Sequence, residues 1–258
     1  MSFTEEEFLK LKAEKERMDK ELCMASELQQ SMVPNGYVAQ DNVEIFGKLI
    51  PAREMGGDLF DYGLIDGKLY FCIGDVCGKG APAAMLMAYA HAHLAQLTLH
   101  ESNPAIIIQT LNQFASYHNE SCTFFTLFLG ALDLSTGRLQ YCNAGHNPPY
   151  ILGDEVVMLD CDPNQPVGPI EDAEFSLQET TLRPGSTIFL YTDGLTEAEI
   201  KGKEEIGPER AEAVLKECIE RKLNPEGMVN AVIEAVHRLT NNVPQSDDLT
   251  MLAIRFCG

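Results

Sequence analysis

The sequence predicts an α+β fold in which two antiparallel sheets pack face to face with helix pairs outside. Three observations lead there. The patterns along the chain run strands, two helices, many strands, two helices, one strand. Neighbouring strand runs are joined by short turns, Asp66-Gly67 and Ser135-Thr136-Gly137 among them, which make hairpins and not the crossovers of a parallel sheet. Hydrophobic residues make up 45% of the 258, enough for a packed core and too many for an acidic disordered chain.

Residues 4–32 read as one helix, in which Thr4 and Glu7 can form a capping box. Phe8, Leu11, Lys15, Met18, Leu22, Ala25, Gln29 and Met32 form a heptad seam, weakened at Lys15 and Gln29. The other faces are densely charged. Such a helix either pairs with a second copy or a signalling domain, or packs on its own domain. Pro34-Asn35-Gly36 ends it. Short strands follow at 43–49, 61–65 and 68–73. Residues 82–100 form a mostly apolar helix, and 104–118 a second one capped by Asn103 with Pro104 at its first position. Strands are expected at 124–133, 137–143, 150–152, 156–159, 174–181 and 186–192. Helices at 208–221 and 225–239 lead to a last strand at 249–256.

Lys and Arg number 19 against 39 Asp and Glu, a formal charge of −20. That balance argues against nucleic acid and against an anionic membrane surface as partners. The N-terminal stretch is charged and lacks the apolar segment of a signal peptide, and no run reaches the ~20 apolar residues of a membrane helix. The eight Cys include no CxxC pair and no zinc spacing. Reduced thiols, several buried in strands, and a cytoplasmic location are expected.

Acidic residues stand at the ends of apolar strands, three of them beside glycine. Gly56-Gly57-Asp58 precedes Leu59-Phe60, Ile73-Gly74-Asp75 leads into Val76-Cys77-Gly78-Lys79-Gly80, Tyr191-Thr192-Asp193 leads into Gly194, and Asp247-Asp248 opens the last strand. Asp is a poor strand residue, and four such sites at core strand tips are costly unless the charge is used. If the strands gather them, repulsion raises their pKa values or demands a cation. Oxygen-only ligands beside tight turns suit Mg2+ or Mn2+, and two such ions could share one Asp, activate a water and hold a phosphate. The plain alternative is that each Asp is a turn residue or helix cap. Gly78-Lys79-Gly80 lacks the spacing of a phosphate loop. His146 is read either as a general acid or as a structural residue of the 143–149 turn. Arg53 either reaches a phosphate or pairs with the acidic cluster.

Six motifs then occur in order: Leu28-Gln29-Gln30-Ser31-Met32-Val33-Pro34, Pro51-Ala52-Arg53-Glu54-Met55-Gly56-Gly57-Asp58, Ile73 to Gly80, Asn143 to Pro149, Tyr191 to Ala198, and Ser246-Asp247-Asp248-Leu249-Thr250. Together they resemble the SpoIIE/RsbU branch of the metal-dependent (PPM, type 2C) Ser/Thr protein phosphatases, from about residue 26 to the end of the chain. The resemblance implies a four-layer αββα sandwich with two Mn2+ or Mg2+ ions between its sheets. It implies that Asp58 and Asp75 hold the ions, Asp75 bridging them, with the Val76 carbonyl. It assigns Asp193 and Asp247 to the remaining side of the site and leaves Asp248 behind the ligands. Cys77 stands where Ser is frequent in this branch.

The activity so implied is hydrolysis of a phosphoserine or phosphothreonine by a water that the ions activate, with Arg53 helping to neutralise the phosphoryl oxygens. The expected substrate is a phosphorylated protein of the anti-anti-sigma, STAS-like type in partner-switching signalling. Residues 1–33 are expected to be a connector or dimerisation helix and 34–258 the phosphatase domain. Through that helix the chain would meet a sensor or activator, or a second copy of itself. No sensor domain is attached, so the chain works alone, binds a sensor in trans, or is part of something longer. A phosphatase-like module that binds a signalling partner without turnover is the alternative. A metal-dependent phosphodiesterase or nuclease is disfavoured by the charge.

Overall fold

The longest apolar runs become central strands whose two faces are both covered, which is why they do not alternate with polar residues. The computed structural model describes residues 4–200, 204–241 and 243–258. One sheet has six strands in the order β1 (Val38–Gln40), β2 (Val43–Ile50), β13 (Leu249–Phe256), β10 (Thr187–Tyr191), β7 (Tyr150–Leu152) and β8 (Val156–Met158). The other has five, in the order β3 (Leu59–Ile65), β4 (Lys68–Val76), β5 (Phe125–Asp133), β6 (Arg138–Ala144) and β9 (Gln178–Thr181). Neighbours in both sheets are antiparallel.

Side-chain alternation assigns each strand face to a different core. Phe71 and Ile73 of β4, Ile188 and Leu190 of β10, and Leu252 and Ile254 of β13 meet between the sheets. The residues between them face outward. Cys72 and Val76 pack with Met87 of α2 (Ala81–Leu97) and Ile108 of α3 (Pro104–Ser116). Phe189, Met251 and Ala253 pack with Leu215 of α4 (Gly207–Glu220) and Val232 of α5 (Pro225–Thr240). Three apolar layers thus separate four layers of structure, and each fully buried Leu, Ile or Phe contributes about 1.5–3 kcal/mol. This is the predicted α+β sandwich.

Element boundaries differ from expectation in informative places. The helix expected at 82–100 ends at Leu97, and the strand expected to end at Ile73 continues to Val76, so Asp75 lies inside β4, opposite Thr126. Of the strand expected at 174–181, only Gln178–Thr181 forms. Ser176 is drawn away from any ladder: its N–H donates to Asn164 at 3.2 Å and its hydroxyl to Asp162 at 2.8 Å. The short β1, and the small hairpin of β11 (Glu199–Ile200) and β12 (Glu204–Glu205), were not expected.

The N-terminal helix, α1 (Glu5–Gln30), starts with the full capping box between Thr4 and Glu7. Phe8, Leu11 and Met18 on its seam are 62%, 50% and 64% exposed, so the first half of this face is uncovered among the described residues, while Leu22 and Ala25 are partly buried and Gln29 is buried.

Candidate active site

Two carboxylates from each sheet come together at one end of the sandwich. Asp58 immediately precedes β3, and Asp75 lies near the end of β4. Asp193 opens a single 3-10 turn after β10, and Asp247 stands two residues before β13. Asp58 is buried, and burial together with the charge of Asp75 holds its carboxyl well above the ordinary Asp value. Burial, then the charges of Asp193 and Asp247, pushes Asp75 up to about 7. Asp193 is raised by burial and by Asp247, and Glu197 beside it by burial and by Asp193. The four groups that the sequence singled out therefore repel one another across the gap between the sheets.

The surroundings hold this arrangement in place. Thr192 donates its hydroxyl proton to Asp58 Oδ2 at 2.8 Å and accepts the Thr250 N–H at 3.1 Å, which ties β10 and β13 to the start of β3. The Thr250 hydroxyl, buried against the same carboxyl, stands outside good hydrogen-bond geometry. Asp248 is buried and reaches the opposite loop: Oδ1 accepts from the Ala52 N–H at 2.8 Å and Oδ2 from the Gly57 N–H at 2.7 Å. Two glycines allow the close approaches. A Cβ on Gly194 would stand 1.9 Å from the Asp248 carbonyl oxygen, and one on Gly57 2.9 Å from that of Val76. The Val76 carbonyl thus faces the residue next to Asp58.

Lys79 contributes the positive charge here. Its ammonium lies 2.7 Å from Asp247 Oδ2 and also donates to the Ser246 carbonyl. Arg53 is exposed and makes no hydrogen bond or ion pair among the described residues, so of its two readings the pairing with the acidic cluster is not made. His146 is buried among neutral partners. Its Nε2 faces the Tyr191 carbonyl at 3.1 Å, which requires the proton on that nitrogen, and Nδ1 accepts from the Thr126 hydroxyl at 2.7 Å. Burial pulls its pKa down to about 4. A neutral imidazole with both nitrogens engaged is a strut, not a proton donor at neutral pH.

Among the described residues, no three His, Cys, Asp or Glu side chains close on one point as an all-protein cage would. The donor set still fits divalent ions of the Mg2+ or Mn2+ kind. It is oxygen-only, it gathers four carboxylates with one ammonium among them, and such ions are commonly held by one or two carboxylates while keeping several waters.

Three contributions were not visible in the sequence. Gly78-Lys79-Gly80 was set aside as lacking the spacing of a phosphate loop, and the ion pair of Lys79 with Asp247 was not foreseen. Thr192 was passed over as the residue before Asp193. Asp248 was left behind the ligands, but nothing local signals its partner 196 residues away.

Comparison with known proteins agrees with this architecture. The family model described as "Stage II sporulation protein E (SpoIIE)" matches residues 65–257, well over half of the chain. Protein IcfG of Synechocystis sp. is 30% identical over 91% of this chain, and the phosphoserine phosphatase RsbU of Bacillus subtilis is 23% identical over 95% of it. The chain spans 41% of the length of IcfG and 72% of that of RsbU. Among solved structures, the SiaA-PP2C domain of Pseudomonas aeruginosa superimposes with a TM-score of 0.79 at 22% identity, covering 95% of this chain and 99% of that one. The PP2C phosphatase domain of SpoIIE from Bacillus subtilis superimposes with a TM-score of 0.72, also at 22% identity, covering 85% of this chain and 64% of that one. With this fold and this family match, the chain belongs to the SpoIIE family.

Proposed function

We propose that the protein is a metal-dependent serine/threonine phosphoprotein phosphatase whose site is the carboxylate cluster between the two sheet ends. The observation that carries this reading is the meeting of Asp58, Asp75, Asp193 and Asp247, two from each sheet, in which burial and neighbouring charges raise the carboxyl pKa values of Asp58, Asp75 and Asp193. Names of relatives add to it, since RsbU and RsbP of Bacillus subtilis are called phosphoserine phosphatases. Two divalent ions, when bound, would neutralise the carboxylates, orient the phosphoryl group and lower the pKa of a water. Asp58, Asp75 and the Val76 carbonyl would hold them on one side, and Asp193 and Asp247 on the other.

The remaining residues position and neutralise. Thr192 fixes the rotamer of Asp58 through its hydroxyl. Asp248 clamps the 52–57 loop by two backbone N–H groups, and Arg53 on that loop extends free toward solvent, where it can neutralise a phosphoryl oxygen. His146 is held neutral, so it is not the group that protonates the leaving serine or threonine oxygen.

The substrate proposed is a phosphorylated anti-anti-sigma, STAS-like protein. Support comes from RsbU and RsbP and from the superposition on the RsbU and RsbW domains of a Mycobacterium tuberculosis protein. Residues 1–33 serve as a connector to a sensor, an activator or a second copy, for which the exposed seam of Phe8, Leu11 and Met18 is the support. Residues 34–258 form the phosphatase domain. A cytoplasmic location is consistent with eight unpaired cysteines, and no helix among the described residues is long and apolar enough to cross a membrane.

The test is hydrolysis of a phosphoserine peptide with and without Mn2+, paired with calorimetric Mn2+ titration. Mn2+-dependent release of phosphate that Asp75→Ala removes is the expected result. Equal activity in Asp75→Ala would refute the assignment. A chain that binds no Mn2+ and releases no phosphate would be the non-catalytic interaction module instead.

A further inference from the structure

The five-stranded sheet ends on β3, whose outer edge pairs with no strand among the described residues. Asp66 and Gly67 both have positive φ, 49° and 76°, so the turn after β3 is the tight two-residue kind, closed by Ile65 against Lys68. Counting back from that pair, Gly63 and Asp61 turn their backbone groups toward β4, and Leu64 and Tyr62 turn theirs outward. Asp61 takes the Tyr62 N–H on its own Oδ1 at 2.8 Å. The Tyr62 carbonyl and both backbone groups of Leu64 have no partner outside the β3–β4 ladder among the described residues.

This open edge lies between two cavities, one on each face of the strand. Toward α2, a cavity of about 240 Å3 is lined by Asp61, Gly63, Ile65, Leu94, Thr98 and Leu99. Toward the other sheet, one of about 140 Å3 is lined by Asp41, Val43, Ile45, Tyr62 and Leu64. Gly63 leaves the first one open, since a Cβ there would meet nothing within 4 Å. Leu64 is 42% exposed at the same place. The walls are mostly apolar and the rim is acidic. Asp41 and Asp61 line it, and Glu101 and Asp66 stand close enough to Tyr70, another lining residue, to raise its pKa after burial has done so. Asp61 faces His91 Nε2 at 3.1 Å but outside good hydrogen-bond geometry. Lys68 is the one lysine of the β3–β4 hairpin, which has no arginine.

Successive side chains of an added strand point to opposite faces of the sheet, and so enter the two cavities in turn. A residue opposite Gly63 faces α2, where an aromatic ring can cover the missing side chain. Its two neighbours, opposite Tyr62 and Leu64, face the smaller cavity and meet the outward backbone groups. We propose that the outer edge of β3 at residues 62–65 is a docking site for an extended segment of a partner protein. That segment carries one large apolar side chain between two smaller ones, with lysine or arginine at its ends. Charge selects this occupant over a second copy: β3 against β3 would set Asp61 and Asp66 beside their like, and two chains of −20 repel. The proposal does not rest on the phosphatase reading, because the segment would bind along β3 beyond Asp58 and touch none of the four carboxylates.

The probe is a fluorescein-labelled, capped heptapeptide with phenylalanine at its centre, valine on either side and two lysines at each end. It is titrated with the full chain at physiological salt and read by fluorescence anisotropy. Saturable binding to the wild type is expected. Gly63→Val fills the larger cavity from a position where a Cβ meets nothing, and should weaken binding about tenfold. Leu64→Pro removes the outward N–H of an edge strand and should weaken it about as much. The same peptide with both valines N-methylated keeps its charge, cannot pair as a strand, and should bind as poorly. Where Leu64→Pro does not fold, Gly63→Val and the methylated peptide decide. Binding to Gly63→Val within about twofold of wild type, or equal binding of the methylated peptide, would reduce the contact to attraction by net charge and overturn the proposal. Absence of saturable binding to the wild type would overturn it too. A free chain that sediments as a dimer, and as a monomer with Gly63→Val, would give the edge to a second copy and refute the occupant proposed.

Discussion

The two halves of the carboxylate cluster are built on opposite principles. The half from the five-stranded sheet, Asp58 and Asp75, is deep: burial is the largest influence on both carboxyls, and no cation lies among those influences. The half from the six-stranded sheet, Asp193 and Asp247, is more open. Asp247 is about a third exposed and already has the Lys79 ammonium at 2.7 Å, and the same lysine lowers the Asp193 pKa against the effect of burial. A deep charge without a counter-ion is costly unless something is bound to it. An outer charge with its own ammonium is not. The difference teaches that demand for a divalent ion is concentrated on one sheet.

The largest expected effect separates the halves directly. Asp75→Asn should lower Mn2+-dependent phosphopeptide hydrolysis on the order of a thousandfold, and Asp247→Asn only about ten- to a hundredfold. In the absence of metal the order should reverse in benefit: Asp75→Asn removes a buried like charge and raises Tm by several degrees, about 4–8 °C per kcal/mol in a small domain and less here. Equal losses of activity for the two variants would break the comparison.

Asp248 sharpens it, because this residue ties the halves together without belonging to either set of proposed ligands. Asp248→Ala leaves the part-buried N–H of Ala52 and the buried N–H of Gly57 without acceptors and should cost about 2–4 kcal/mol in a denaturant titration. Asp248→Asn keeps one acceptor oxygen and should cost roughly half of that. A loss of activity in Asp248→Asn with unaltered stability would place the residue among the ligands instead.

His146 tests whether burial alone, without a neighbouring charge, behaves as it does at Asp58. Burial lowers its pKa from 6.5 to about 4, so between those values the unfolded chain binds a proton that the folded chain does not. Stability from this group is therefore complete above pH 6.5 and is lost as pH falls toward about 4. The loss is on the order of 3 kcal/mol. His146→Gln should flatten that part of the pH–stability curve, as read from urea midpoints at stepped pH, at the expense of a lower plateau at neutral pH.

Which parts of this were legible in the sequence follows from how local each signal is. Thr4 with Glu7, Asn103 and Asn224 sit next to the N–H groups they cap, and all three caps form. The unbroken runs of β4, β5 and β10 marked strands covered on both faces. The stretch 174–177 also alternates like a strand, yet the side chains of Asp162 and Asn164 take Ser176 out of pairing, and nothing within the stretch announces them. The acids next to glycines were visible as a set because strand tips are local features. Their supports were not. Gln29 looked like a flaw in a heptad, and Asp248, left behind the ligands, gave no local sign of what it holds. Both act on the 52–57 loop across distances in sequence that no spacing rule spans.

The smallest expected effect concerns Lys79, and it asks whether the outer half is truly compensated. Lys79 and Asp247 are 36% and 30% exposed, so water screens the pair and its worth is about 1 kcal/mol. If the ammonium acts as an internal counter-ion at Asp247, a divalent ion must displace it or share the carboxylate with it. Lys79→Met should then tighten Mn2+ binding by about three- to tenfold at low salt, and the gain should shrink as ionic strength rises. The opposite result, weaker binding in Lys79→Met, would mean that the bond from Lys79 to the Ser246 carbonyl builds the approach to Asp247 instead of occupying it. The outer half would then depend on its lysine for shape and not for charge, and the contrast between the halves would be one of burial alone.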